Sequence, residues 1–313
     1  MRIAILGATS QIAKDLILSF TVQREHELVL FARRPTAVQQ WLAGLDLDGR
    51  HSICDFEAFG HTTHFDAILN FVGVGDPARA VAMGASIFDV TLTYDQLALN
   101  YLQQHPQCRY IFLSSGAAYG SGFDKPADRD TRAVIALNDL HPQDWYGIAK
   151  LHAECRHRSL SHLPIVDVRV FSYISHTQDI KARFLITDIL RAIRDRTLLI
   201  TSYENIVRDY IHPLDFYSMV CALLKAPVCN DVVDTYSRAP VGKMELLGVM
   251  QEKFGLYYEV AETPVAIDAT GSKRNYFSRN THASGFGYVP SLTSLEGILK
   301  ESAEMLKRHP GIQ

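Results

Sequence analysis

Tyr146 and Lys150 stand four residues apart in the run Trp145-Tyr146-Gly147-Ile148-Ala149-Lys150. On a helix that spacing puts both side chains on one face, one turn apart. A free phenol titrates near about 10, too high to exchange protons readily at neutral pH. A neighbouring ammonium favours the phenolate and lowers that value. A tuned tyrosine can then give a proton to an alcohol or ketone oxygen, or take one from it. Ser114 and Ser115, in the separate segment Leu113-Ser114-Ser115-Gly116, can hold the same oxygen. Together these groups suit hydride transfer to or from a carbonyl carbon. A Tyr-x-x-x-Lys pair arises readily by chance on amphipathic helices, so the surrounding chain must supply the rest of the equipment.

The first such element lies at the start. Residues 2–6 read as a short buried strand, followed by Gly7-Ala8-Thr9-Ser10-Gln11-Ile12-Ala13 and an amphipathic run over 14–20. Strand, glycine turn and helix form the setting in which backbone amides cradle a dinucleotide pyrophosphate. Gly7 is the first fingerprint glycine, while Ser10 and Ala13 occupy the later two positions. Both are small, so part of the close backbone approach survives. An ordinary strand-to-helix turn is the competing reading. Residues 27–31 form a second strand, and Arg33 and Arg34 sit just past its end. At that place an acid takes the ribose 2′-hydroxyl of NAD, whereas Arg accommodates the 2′-phosphate of NADP. Two arginines and no acid argue for NADP(H), with NAD as the lesser option. The bland alternative is a solvated basic turn before a helix.

A third strand ends at residues 52–55, where Asp55 is placed to meet the adenine. Residues 65–73 form a fourth strand running into a loop, with Asn70 and Gly73 bordering the cofactor. A long helical pattern lies within 76–104, and a fifth strand over 109–113 delivers Ser114 and Ser115 at its carboxyl end. Ligands of open parallel sheets bind beyond that edge. A polar loop over 120–140 is long enough to reach across such a site. The Tyr146 helix then runs to about residue 161, and a sixth strand covers 164–171. This alternation predicts an α/β fold with a doubly wound parallel sheet, the Rossmann arrangement.

From Ser172 the pattern is more irregular. Helices are expected over 182–194, 213–224, 243–254 and 294–307, with short extended pieces between them. The stretch 271–288 is rich in Gly, Ser and Asn and carries Lys273, Arg274 and Arg279. The expected organisation is an NADP-binding domain over 1–171, with contributions from about 208–236, and a smaller substrate lobe over 172–313.

Composition narrows the class. A chain of 313 residues with 47% hydrophobic and 21% charged residues can bury a sizeable core. A net charge of −3 argues against a general nucleic-acid binder. The five cysteines are scattered without a C-x-x-C pair, so they read as reduced core thiols of a cytoplasmic protein. No apolar run is long enough to span a membrane, and the first six residues only imitate a signal peptide. His61 and His64 have metal-compatible spacing, but nothing gathers around them, and no metal site is expected.

With these pieces placed, the chain resembles the extended short-chain dehydrogenase/reductases, the NAD(P)-dependent epimerase/dehydratase family of nucleotide sugars. The resemblance rests on residues 7–12, on Ser-Ser-Gly-Ala-Ala-Tyr-Gly at 114–120 and on Tyr-Gly-Ile-Ala-Lys at 146–150. Arg-Val-Phe-Ser-Tyr at 169–173, Arg-Asp-Tyr-Ile-His at 208–212 and the tail from Tyr276 to Pro290 extend it. It implies that Ser115 is the catalytic Ser/Thr, that Tyr146 is the acid/base, and that Lys150 binds the nicotinamide ribose. Gly7, Thr9, Ser10, Gln11, Ile12, Arg33, Arg34, Asp55, Asn70, Gly73 and Ser114 would line the cofactor with Tyr146 and Lys150. Ser172, Arg208 and Arg274 would meet the substrate, the arginines at its diphosphate, with an interlobe salt bridge as their alternative role.

The resemblance also narrows the chemistry. The family's 4,6-dehydratases carry an Asp-Glu pair directly after the catalytic Thr, where Gly116-Ala117 stand here, so dehydration is set aside. What remains is an NADPH-dependent reductase of a keto-deoxy nucleotide sugar, favoured by Arg33-Arg34, or an epimerase that retains its cofactor. The resemblance further implies a homodimer through the Tyr146 helix and the helix before the fifth strand. Leu97, Leu99, Leu102, Ile148 and Leu151 could serve that interface or the core.

Overall fold

The computed structural model describes residues 1–61, 64–74, 77–120, 122–261 and 273–308. Its first half alternates strands and helices: β1 (Arg2–Leu6), α1 (Gln11–Gln23), β2 (Glu27–Phe31), α2 (Pro35–Ala43), β3 (Ser52–Cys54) and β4 (Ala67–Asn70). There follow α3 (Pro77–Met83), α4 (Ser86–Gln104), β5 (Arg109–Ser115), α5 (Pro142–Ser159) and β6 (Ile165–Val170). The second half contains β7 (Ser172–Tyr173), α6 (Leu185–Asp195), β8 (Leu199–Ser202), β9 (Val207–Arg208), β10 (Tyr210–Ile211), α7 (Pro213–Lys225) and β11 (Asp231–Asp234). It closes with β12 (Val241–Gly242), α8 (Lys243–Phe254), β13 (Tyr258–Ala261), β14 (Asn275–Tyr276) and α9 (Ser294–Arg308).

Seven strands form one parallel sheet in the order β11-β6-β5-β4-β1-β2-β3. Such a sheet is covered on both faces, so its strands are mainly apolar, with polar groups such as Asn70, Ser114, Asp167, Arg169 and Asp234 set among them. Side-chain alternation then divides each strand between two cores. Ile3 and Ile5 of β1 join α1 residues Leu16, Ile17 and Phe20 and α7 residues Phe216 and Met219 on one face. Ala4 and Leu6 join Leu99 and Leu102 of α4 and Ala153 of α5 on the other. A separate core lies among α6, α8 and α9, around Ile189, Leu190, Leu247, Met250, Ile298 and Met305.

Strand order reverses between β1 and β4, which opens the crevice where ligands of this architecture bind. The loops after β1, β4 and β5 all emerge there. The long helical pattern expected before β5 is two helices, broken around Gly84. Its first residue, Asp76, lies outside the described residues, as do the first two residues of the stretch 271–288. Among the described residues no helix is long and apolar enough to cross a membrane.

Candidate active site

Helix α5 opens with Pro142 at its first turn, where a missing N–H costs nothing. Asp144 accepts from the His141 amide at 3.0 Å and fixes the start of the helix. From that start, Tyr146 and Lys150 face the carboxyl end of β5. There Ser115 Oγ accepts from the Ala117 amide at 3.1 Å and faces the Tyr146 phenol. Lys150 is buried, and its Nζ donates to the Leu113 carbonyl at 2.7 Å. The same ammonium stands 4.4 Å from the centre of the Phe112 ring and 5.9 Å from that of Tyr146.

The protonation states differ from the sequence expectation. Burial raises the Tyr146 phenol above its ordinary value, and the Ser115 hydrogen bond works against that rise. Lys150 is turned toward Leu113 and Phe112, so the phenol keeps its proton. Burial also pulls the Lys150 ammonium down to about 8, opposed by Asp95, Glu154 and Asp167.

Ser114, expected at the cofactor, instead donates to Glu154 behind the site. Strand alternation causes this, because successive side chains point to opposite faces. Arg169 of β6 grips both Glu154 oxygens at 2.5 to 3.1 Å, and its Nη1 donates to Tyr119 Oη at 2.6 Å. Tyr119 in turn donates to Asp234 of β11 at 3.0 Å, and Ser278 donates to the same carboxylate at 2.6 Å. This buried chain ties β5, α5, β6 and β11 together beneath the reacting groups. Glu154 is four residues past Lys150 on the same helix face, a signal legible in the sequence but given no role there.

Asn70 also turns inward. Its amide donates to Tyr110 Oη at 2.9 Å and its carbonyl accepts from the Val72 amide at 2.9 Å, so it braces the loop after β4. Tyr110 donates to Asp95 at 3.0 Å. Asp95 and Asp167 enclose the fully buried His157 at 2.7 and 2.6 Å. Burial alone would lower that imidazole, but the two carboxylates outweigh it and raise it to about 9.

The glycine turn fits an anion. Gly7 has φ +81°, and a Cβ there would fall 2.9 Å from the Val72 amide nitrogen, so the loops after β1 and β4 touch only because residue 7 has no side chain. Ser10 caps α1 with extended backbone and no side-chain hydrogen bond, and the first turn holds no acid. The leading amides of α1 are therefore available to a pyrophosphate. Thr9 is exposed, and Ser10 and Ile12 are half-buried. Gln11 is already engaged, donating to Asp15 at 3.2 Å and to Thr177. Arg33 and Arg34 are exposed beyond β2, without a side-chain hydrogen bond or ion pair among the described residues. Asp55 is exposed and accepts from the Ala58 amide at 3.0 Å, which closes its own turn. Gly73 faces Lys150, with Nζ 3.5 Å from where a Cβ would stand.

On the substrate side, Arg208 is buried, its Nη1 donating to the Val207 carbonyl at 2.9 Å. Strand pairing places Tyr276 of β14 beside it, and the guanidinium lies 5.8 Å from the Tyr276 ring. Tyr276 Oη reaches Ser115 Oγ at 3.3 Å. Lys273 Nζ stands 4.8 Å from the Tyr276 ring and 5.4 Å from that of Phe123. Burial and the neighbouring Arg208 lower Lys273 to about 8. Lys273 and Tyr276 were noted in the sequence but given no site role, because no local pattern sets residue 276 beside residue 115. Arg274 contributes its backbone carbonyl to this cluster, while its side chain is exposed. Ser172 is half-buried in β7, paired with Tyr210.

Comparison with solved structures places the same architecture in several enzymes. The UDP-glucuronic acid 4-epimerase of Bacillus cereus, in complex with UDP-glucuronic acid and NAD, is 15% identical, with a TM-score of 0.78 over 98% of this chain and 100% of that one. The UDP-glucose 4-epimerase of Thermotoga maritima, with UDP-glucose, is 16% identical, with a TM-score of 0.79 over 98% and 99%. The dTDP-glucose 4,6-dehydratase of Bacillus anthracis, in complex with NAD, is 14% identical, with a TM-score of 0.76 over 98% and 97%. No curated protein matches the sequence. The profile of the NAD dependent epimerase/dehydratase family matches residues 3–237, and with the parallel sheet and the Ser115–Tyr146–Lys150 constellation it establishes that this chain belongs to that family of extended short-chain dehydrogenase/reductases.

Proposed function

We propose that this chain is an NADPH-dependent reductase acting on a keto-deoxy nucleotide sugar. The observation that carries the reading is the convergence of the Ser115 and Tyr146 hydroxyls beside Lys150 at the carboxyl edge of the sheet. The cofactor, when bound, supplies the hydride to the carbonyl carbon. The electron pair of the carbonyl bond moves to oxygen, Ser115 and Tyr146 hold the developing alkoxide, and Tyr146 gives it a proton. A phenol that burial keeps protonated suits that donor role. Solvent then restores the tyrosine proton.

Gly7 and the amides of residues 11–13 would hold the pyrophosphate, and Arg33 with Arg34 the 2′-phosphate. Arg208 would meet the diphosphate of the substrate. In this reading residues 1–171 with about 208–236 bind the cofactor, and the rest of 172–313 binds the substrate. The setting is the cytoplasm and the assembly a homodimer through α4 and α5. Leu99 and Leu102 belong to the chain's own core, which leaves half-buried Ile148 and Leu151 and 41% exposed Leu92 for such a surface. Dehydration stays set aside because Gly116-Ala117 stand where the family's 4,6-dehydratases carry an Asp-Glu pair. A Cβ at Gly116 would lie 2.4 Å from the Phe171 ring, so an acid after Ser115 would require that ring to move.

A second reading, epimerisation with retained NAD(P), is favoured by the neighbours, since the Bacillus cereus and Thermotoga maritima proteins are 4-epimerases. Titration with NADPH, NADH, NADP⁺ and NAD⁺, followed by nicotinamide fluorescence, separates the two. Tight, exchangeable NADPH binding supports the reductase. Stoichiometric NAD⁺ that does not exchange moves epimerisation to first place, and binding of none of the four withdraws both.

A further inference from the structure

We propose that Tyr276 is a positioning residue for proton transfer: its phenol donates to Ser115 Oγ and thereby directs the serine's single proton toward Tyr146 before substrate binds and toward the reacting oxygen once it has. The proposal rests on the reading of Ser115 and Tyr146 as the proton-handling pair.

A serine hydroxyl has one proton to give and two lone pairs to fill. Ser115 Oγ has three neighbours, the Ala117 amide at 3.1 Å, Tyr276 Oη at 3.3 Å and the Tyr146 phenol. The amide can only donate. If Tyr276 donates as well, both lone pairs are filled and the single serine proton points at Tyr146. Acidity favours that polarity. A phenol is a more acidic hydroxyl than a serine's and the better donor, which assigns the Tyr276 proton to Ser115. Burial keeps Tyr276 a phenol by raising it well above its ordinary value.

The ring is held where this geometry needs it. It packs edge-on against Phe123 with centroids 4.8 Å apart and against Phe171 at 5.3 Å. Cationic Lys273 and Arg208 lie over it. Its backbone pairs in register with Arg208. The C-terminal segment therefore sets the direction of a hydrogen bond in the reaction centre, 161 residues upstream.

The test needs no substrate. Protein carrying ring-labelled tyrosine is titrated by NMR, following the Tyr146 phenol, in the native chain and in Tyr276→Phe, which keeps the ring. A proton from Ser115 stabilises the Tyr146 phenolate, so losing its direction raises the Tyr146 titration midpoint by on the order of half a unit. The same substitution in a Ser115→Ala background leaves the midpoint unmoved, because the bond it controls is already gone. An unchanged midpoint in Tyr276→Phe, or a shift that persists without Ser115, overturns the proposal. Thermal melting verifies the fold of each variant. Should Tyr276→Phe misfold, Ser115→Ala alone reads the same bond from the other end, by moving the Tyr276 resonance. If Ser115→Ala leaves both tyrosines unmoved, the Ser115–Tyr146 reading falls too. If all shifts appear but nucleotide sugars are not turned over, only the substrate assignment fails.

Discussion

The reaction centre and the cofactor-reading edge are built in opposite ways. Around Ser115 a set of polar groups is held by the protein itself: Lys150 by Leu113, Ser114 by Glu154, Glu154 by Arg169, and Ser115 by Ala117 and Tyr276. Beyond β2, Arg33 and Arg34 project from the surface without such support. Reaction geometry is thus fixed before any ligand arrives, which is what electrostatic preorganisation requires. In the proposed reading, cofactor choice is left to these solvated side chains, whose loss leaves the fold intact. The contrast predicts severe effects at the first region and selective ones at the second.

The sharpest break is Tyr146→Phe. It removes the proton donor and keeps the ring, so turnover falls about 10²- to 10⁴-fold while nicotinamide binding stays within twofold or so. Steady-state kinetics beside a fluorescence titration reads both. Next is Arg169→Leu, which strands Glu154 and Asp234 in the core. Breaking a buried pair in this way costs about 3–5 kcal/mol. The expected result is a large drop in denaturant midpoint, and an unchanged midpoint would mean that the network is not a support.

A smaller effect is expected from Arg33→Ala with Arg34→Ala. Losing charge-assisted contacts to a 2′-phosphate weakens NADPH by about tenfold, leaves NADH binding alone, and leaves the melting temperature unchanged. Equal weakening of both cofactors would erase the proposed division of labour. The smallest effect is on stability with pH. His157 is raised from 6.5 to about 9, so the stability it contributes is full below pH 6.5 and is lost as pH rises through 9. Lys150 and Lys273, both lowered to about 8, act with the opposite sign above that pH. The melting temperature should therefore fall between about pH 6.5 and 8 and turn upward above 8, where the two lysines outweigh the one histidine. The slope of the first part should vanish in His157→Gln.

Much of this was legible in one dimension. The strand-and-helix alternation to Val170, the glycine turn after β1 and the helical spacing of Tyr146 and Lys150 are local properties, and each has a periodicity or a turn chemistry that marks it. Helix α8 was expected over 243–254 and is found at Lys243–Phe254, because an amphipathic run bounded by two glycines leaves little choice. The inward turn of Asn70 and Ser114 was not legible. Each lies where its strand delivers cofactor-facing groups, yet buried Tyr110 and Glu154 need partners and claim them. Arg274 immediately precedes the two-residue β14; its carbonyl accepts from the Val207 amide at 2.7 Å, while its side chain is exposed.

What the sequence determined by itself is the family, the sheet and the identity of the hydroxyls that can move a proton. Those follow from spacing within single elements. Only the tertiary structure decided what stands around them: Tyr276 against Ser115, Arg169 on Glu154, and Lys273 beside Arg208. These contacts join segments 15 to 161 residues apart. They depend on loop closure and packing, which no local pattern encodes.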